Sequence, residues 1–255
     1  MRRFIWNHAY QTFNRLFADI DWHFLSYGYV SVDSTASTLS LDHVDEAHRP
    51  FVQLYHHVAE SAGLAGKDVL DVSSGRGGGT AFMAKYMRPR FIAGVDLSER
   101  AVIYSARKHR LPNLAYCTGD AERLPFADES FDVVVNIEAS HCYGSMEGFL
   151  RDVRRVLRPG GDFVWADVRN AHEVEALDDA FRKARLLPSR TEDITANVLA
   201  SLDQTTDLKM KAVRRYVPRP LVSLMLEFGG VPGSVIYREL VRRDKRYLHY
   251  ACRKA

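Results

Sequence analysis

Between Lys67 and Val168 short apolar runs alternate with helix-length amphipathic stretches, and this rhythm restricts the fold more than any other feature of the chain. The runs are "DVLDVS", "RFIAGVDL", "LAYCTGD", "DVVVNIE" and "DFVWADV"; among them stand "TAFMAKYM", "SERAVIYSARKHR" and "MEGFLRDVRRVL". Apolar runs without alternation belong to strands buried on both faces. Strands joined through helices need crossover connections, so the pattern predicts an α/β fold with a parallel sheet covered on both sides. Right-handed crossovers make such a sheet doubly wound.

Outside this segment the pattern changes. Phe4, Ile5, Trp6, Tyr10, Phe13, Leu16, Phe17 and Ile20 recur near helical spacing; the helix they predict could pack on the core, cover an apolar substrate or lie on a membrane surface. A polar stretch from Ser31 to Asp42 reads as loop, and a helix is expected from about Glu46 to Ala62. Residues 171–230 read as helical, punctuated by Pro188, Pro218, Pro220, Gly229 and Gly230. The closing "RYLHYACRK" alternates apolar and polar residues, as an edge or antiparallel strand does. The expected division is an N-terminal helical cap (1–62), a core (63–170), and a helical lid with C-terminal sheet strands (171–255).

Composition excludes some function classes. A net charge of 35 − 32 = +3 is too small to argue for nucleic acid. From Thr205 to Ala255, however, 12 Lys/Arg stand against 4 Asp/Glu, a cationic face that water, a partner or an acidic lipid surface could cover. Cys117, Cys142 and Cys252 are odd in number and far apart, which suits a reducing cytoplasm and argues against disulfides or structural zinc. No apolar run reaches the roughly 18 residues of a membrane span, and "FIWNHAYQTFNRLFADI" is too interrupted for a signal-peptide core.

Open α/β sheets bind ligands beyond the carboxyl ends of their strands. The first core run is followed there by Asp71-Val72-Ser73-Ser74-Gly75-Arg76-Gly77. Gly75 and Gly77 let backbone approach a ligand, and Asp71 would repel a pyrophosphate but attract an ammonium group. The second run ends in Asp96, whose two acceptor oxygens suit a ribose diol; the third ends in Asp120, able to accept from an exocyclic amine. Each acid alone could be a cap or turn residue. Three at successive strand ends, beside a glycine loop, form a site.

With "VLDVSSGRGGG", "GVDLS", "GDAERLPFADESFDVVVNIE" and "VLRPGG" in place, residues 67–168 resemble the class I S-adenosylmethionine-dependent methyltransferases. The resemblance implies a Rossmann-like, doubly wound seven-stranded sheet with its last strand antiparallel, and S-adenosyl-L-methionine as cofactor. It implies that Asp71, Ser73, Gly75 and Gly77 line the methionine part, Asp96 holds the ribose, Leu97 packs on adenine, and Asp120 and Ala121 meet the adenine edge. Ser73 stands where the family has glycine, so it must adopt a non-glycine geometry or displace the cofactor. "AHRPFVQLYHHVA", "SSGRGGG" and "NIEASHCY" are further similar to bacterial methyltransferases of lipid and polyketide hydroxyls, the phthiotriol dimycocerosate methyltransferases among them. Glu138 with His141 is also similar to the acid–histidine pair of sterol and isoprenyl C-methyltransferases.

The octet "NIEASHCY" admits several readings. Glu138 and His141 are too few ligands for a metal without a second cluster, and no such cluster is visible. Cys142 and His141 are adjacent and point apart, unlike a nucleophile and its base. A general base fits better: His141 would take the proton of an acceptor hydroxyl, and Glu138 would orient the imidazole or steady its charge. Asn136 would lie by the cofactor and Tyr143 toward the pocket wall. Three functions follow: O-methylation of a bulky apolar small molecule; C-methylation of a prenyl or terpenoid alkene, with Glu138 stabilising a carbocation and Tyr10, Trp22, Tyr27 or Tyr29 lining the pocket; or cofactor binding without methyl transfer, as in a pericyclase. No NPPY-type tetrapeptide or basic-aromatic groove points to nucleic acid. Oligomeric state leaves no mark on the sequence.

Overall fold

The computed structural model describes residues 22–32 and 39–255; the helix expected over 4–20, with Tyr10, lies outside them. The first elements are α1 (His43–Glu46) and α2 (Arg49–Glu60). The core follows as β1 (Asp68–Val72), α3 (Gly78–Tyr86), β2 (Phe91–Asp96), α4 (Glu99–Lys108), β3 (Leu114–Thr118), β4 (Phe131–Ile137), α5 (Met146–Val156) and β5 (Leu157–Asn170). The C-terminal third adds α6 (Val174–Lys183), β6 (Leu186–Asp193), α7 (Thr195–Tyr216), α8 (Val222–Phe228), α9 (Val235–Val241) and β7 (Lys245–Lys254).

The seven strands form one sheet in the order β3-β2-β1-β4-β5-β7-β6, and only β7 runs antiparallel to its neighbours. Successive side chains on a strand point to opposite faces. Val69, Val133, Val135 and Ile137 accordingly pack against α2, α3 and α7, while Leu70, Val72, Val134, Phe163 and Trp165 pack against α5 and α6. Helix starts follow local chemistry: Ser98 caps α4 by accepting from the Ala101 N–H at 3.3 Å. On α7 the buried Val198, Ser201, Leu202 and Thr205 repeat at intervals of three and four, which lays one stripe on the sheet.

Two expectations change. Residues 186–193, read as part of a helical lid, form β6 at the edge of the sheet. Only Leu186 is buried along "LLPSRTED", so no apolar alternation announces the strand, and Pro188 is accommodated at a register shift next to Arg190. The closing strand is antiparallel, one of the two forms its alternation allowed, with Tyr247 to Cys252 buried between β5 and β6.

Residues 22–30, grouped with the helical cap, run instead as an extended strap across the carboxyl ends of the strands. Gly78 N donates to His23 O (3.1 Å), Tyr29 N to Pro50 O (2.8 Å), and Ser201 Oγ to Tyr27 O (2.8 Å). The glycine run explains how the chain packs so closely there. A Cβ on Gly78 would sit 2.4 Å from His23 O, and one on Gly79 would sit 1.9 Å from Cε1 of Tyr55. Gly79→Ala is expected to push the Tyr55 ring aside and to cost about 1–3 kcal/mol. In a Tyr55→Ala background the same change should cost less, which urea unfolding of the four-member cycle measures.

Candidate active site

The strap and the strand ends enclose a chamber of about 160 Å³. Its walls include Ser73, Gly75, Asp96, Leu97, Asp120 and Ala121 from the loops after β1, β2 and β3. Glu138, His141 and Tyr143, after β4, face them, and Leu25, Ser26 and Tyr27 of the strap close the top.

The loop after β1 turns through three left-handed residues, Ser73 (φ 61°), Gly75 (φ 55°) and Gly77 (φ 80°). Ser73 therefore takes the backbone conformation of a glycine, at a strain on the order of 1–2 kcal/mol, and its Oγ lies 2.6 Å from Tyr143 Oη. Asn136 is fully buried behind the wall, donating to Val72 O and to Tyr143 Oη, both at 2.9 Å. It acts on the chamber through Tyr143, whose hydroxyl joins the cofactor loop. Asp71 and Gly77 also stand behind the wall. Asp71 accepts from Thr80 Oγ1 at 2.6 Å; burial, against that bond, pushes its carboxyl up to about 7.

The donors and acceptors suit an adenosyl group with an aminoacid tail. Asp96 accepts from Gly75 N and Ser98 N, each at 2.8 Å and each on a different oxygen. One N–H per oxygen leaves acceptor capacity on both for a diol. Leu97 offers 38% of its surface, an apolar face beside Asp120 and Ala121.

Asp167, at the end of β5, organises the other side. Its carboxylate is wholly buried and accepts four hydrogen bonds, from His141 Nδ1 (2.7 Å) and Val168 N (2.8 Å) on Oδ1 and from Ser140 Oγ (2.7 Å) and His141 N (2.8 Å) on Oδ2, with the Arg169 guanidinium in ion-pair contact (Nη1 to Oδ2, 3.0 Å). Ser140 Oγ in turn accepts from Trp165 Nε1 (2.8 Å) and Arg169 Nη2 (2.6 Å). The 3-10 turn Ser140–Cys142 is thus pinned at side chain and backbone, and the imidazole has one orientation. Burial alone would raise Asp167, yet the charges of His141 and Arg169 hold it well below the carboxylate range. Burial alone would lower His141, yet Asp167 pushes it up to about 10.

The carboxylate orienting His141 is therefore Asp167, which sequence reasoning missed although it ends a strand as Asp71 and Asp96 do. Glu138, assigned that role from sequence, turns to the strap: Oε2 accepts from Tyr27 N (2.8 Å) and Tyr247 Oη (2.9 Å). Burial, opposed by those bonds, pushes Glu138 up to about 7, and its backbone is left-handed (φ 53°).

A methyltransferase domain model matches residues 70–165. The phthiotriol/phenolphthiotriol dimycocerosates methyltransferase of Mycobacterium tuberculosis is 36% identical over 250 residues, 98% of this chain and 92% of the relative. The chain belongs to the class I S-adenosylmethionine-dependent methyltransferases. The fatty-acid O-methyltransferase of Mycolicibacterium smegmatis is 34% identical, covering 95% of this chain and 87% of the other. Among solved structures, geranyl diphosphate C-methyltransferase from Streptomyces coelicolor A3(2), in complex with S-adenosyl-L-homocysteine, superposes over the whole chain and 98% of its own (TM-score 0.70, 18% identity), a likeness of fold.

For this methyltransferase the cofactor is S-adenosyl-L-methionine, which when bound presents a methyl group on a sulfonium. Asp96, Leu97, Asp120 and Ala121 would hold its nucleoside, with Ser73 and Gly75 beside the amino-acid end. Of the aromatic residues expected around the acceptor, Tyr27 lines this chamber and Trp22 a neighbouring one. Tyr29 stacks on His57 (4.3 Å between centroids), off both. His57 belongs to a group the sequence could not reveal: Glu192 Oε2 lies 2.9 Å from His57 Nε2 and 3.1 Å from His249 Nδ1, three donors drawn from α2, β6 and β7.

The Asp167–His141 pair makes stability depend on pH in both directions. Asp167, depressed when folded, contributes stability that is full above its unfolded value near about 4 and lost on acidification; His141, raised, contributes stability that is full below about 6.5 and lost as pH climbs toward about 10. The difference in urea stability between wild type and Asp167→Asn is expected to peak at about pH 5–6 and to shrink at pH 9. NMR titration should show the His141 imidazole losing its elevated pKa in that variant. A gap independent of pH, with His141 unchanged, would refute the pairing.

Proposed function

We propose that this methyltransferase moves a methyl group to a hydroxyl oxygen of an apolar lipid or polyketide, with His141 as general base. The observation that carries the reading is the His141–Asp167 pair on the wall of the cofactor chamber. An aliphatic hydroxyl is a weak nucleophile, and removing its proton during attack is worth about 10²–10⁴-fold. Asp167 engages Nδ1 at 2.7 Å, so the proton would be taken at Nε2, and the imidazolium formed would lie against a buried carboxylate. The strap and the C-terminal helices exclude water and align the acceptor oxygen with the methyl carbon, which can contribute about 7–11 kcal/mol at best. Relatives named for phthiotriol and fatty-acid methylation support a lipid acceptor. Residues 22–62 would serve as cap and 195–241 as lid. Three free thiols suit a cytoplasmic enzyme, and within the described residues no helix is long and apolar enough to cross a membrane.

C-methylation would lean on Glu138 as a counter-charge to a cation. That carboxylate is already engaged by Tyr27 and Tyr247, which favours oxygen as the acceptor.

His141→Ala should lower turnover by about 10²–10⁴-fold while cofactor affinity by calorimetry stays within a few-fold of wild type. Because only neutral imidazole accepts a proton, kcat/KM should rise with pH through a pKa above the ordinary histidine value. Asp167→Asn should move that rise to lower pH. Full activity of His141→Ala in an S-adenosylhomocysteine-release assay would overturn the assignment, and a Glu138→Gln variant more damaged than His141→Ala would favour carbon. No release with any hydroxylated lipid would favour binding without transfer.

A further inference from the structure

Beside the cofactor chamber lies a second one of about 280 Å³. The two share Leu25, Ser26 and Tyr27 of the strap, with Phe228 of α8, as common wall. Phe51, Val213, Met225, Leu226 and Val231 give much of the second chamber an apolar lining, as expected around a hydrocarbon body.

His23 and His48 line it too, and two further polar groups, Lys209 and Ser26, bear on what it can hold. Lys209, on α7, points its ammonium in among aromatic rings, 5.8 Å from the Tyr27 centroid and 5.9 Å from that of Phe51. Its hydrogen bond goes to Gly229 O at 2.9 Å, and among the described residues no carboxylate lies at ion-pair distance from it. Burial lowers the ammonium to about 8 against the pull of Glu138. Ser26 is 7% exposed, lines both chambers, and its Oγ has no partner among the described residues. A buried cation without a counter-ion and a buried hydroxyl without a partner are costly in a largely apolar wall. Both costs fall if the occupant brings oxygen acceptors, and the cation specifies an anionic one.

We infer that the second chamber is the acceptor site and that Lys209 is the counter-ion for a carboxylate carried by the acceptor, a hydroxylated apolar acid rather than a neutral alcohol. The hydroxyl reaches His141 past Ser26 while the carboxylate stays with Lys209. The role given to the hydroxyl rests on the methyl transfer proposed above; the recognition of the acid does not.

The probe is cis-parinaric acid, a fluorescent C18 fatty acid, compared with the alcohol of the same chain, both titrated with S-adenosylhomocysteine saturating the cofactor chamber. Wild type should bind the acid at least ten-fold more tightly than the alcohol. Lys209→Met, which keeps length and removes a buried charge, should lose that preference by weakening the acid alone, and Lys209→Arg should retain most of it. Equal affinity of wild type for acid and alcohol, or an equal loss of both in Lys209→Met, would overturn the inference. Product release from hydroxylated acids is measured separately. If no acceptor yields S-adenosylhomocysteine while acid binding keeps its dependence on Lys209, methyl transfer falls and the carboxylate site stands.

Discussion

A carboxylate with no exposure to water holds the active side of this enzyme together. Removing such a charge from solvent costs several kcal/mol unless its lone pairs are taken up, and Asp167 has four hydrogen-bond donors and the Arg169 guanidinium to do so. Those donors come from the turn after β4 and from the two residues after Asp167 itself. Satisfying the charge therefore fixes the turn, and the turn fixes His141. The same arrangement that makes the buried acid tolerable orients the imidazole, so stability and the placing of His141 cannot be separated at this point. Arg169 completes the balance: its guanidinium reaches both Asp167 and Ser140, and lies 5.0 Å from the Trp165 ring.

A second buried carboxylate governs the cover. Glu138 adopts a left-handed backbone so that its N–H meets Ala166 O (2.7 Å) and its side chain meets the strap. Strain of this kind persists where the surroundings over-determine it, and here the Tyr27 amide and Tyr247 hydroxyl do. The strap separates two chambers of different chemistry, one lined by acids and loop backbone, the other largely by apolar side chains with Lys209, His23 and His48 among them. His23, Leu25, Ser26, Tyr27 and Phe228 line both, so these few residues form the boundary between the two chambers.

Much of the core was legible in one dimension. Strand and helix spacing over 67–168 reports burial on two faces directly, and the antiparallel last strand shows in its alternation. The chamber-lining Ser73, Asp96, Leu97, Asp120 and Ala121 sit at fixed offsets from strand ends, so their position follows once the strands are known. β6 was not legible, because an exposed edge strand buries too little to leave a pattern. Asp71, Gly77 and Asn136 carry the right chemistry but stand one layer back, a distinction of a few ångströms that no spacing encodes. Gly75 and Gly77 read as room for a ligand, and the neighbouring Gly78 and Gly79 make room for His23 and Tyr55.

By itself the sequence determined the sheet, its helices and the acids at the strand ends, since these depend on periodicity and on residues close along the chain. Tertiary structure alone decided which carboxylate meets which partner. His141 and Asp167 lie 26 residues apart, Tyr27 and Glu138 111 apart, and Lys209 enters the second chamber only because α7 crosses behind the strap. Such pairings depend on where whole elements dock, and docking is set by the combined burial of many apolar side chains. The few polar groups caught between the docked surfaces then have their partners chosen for them.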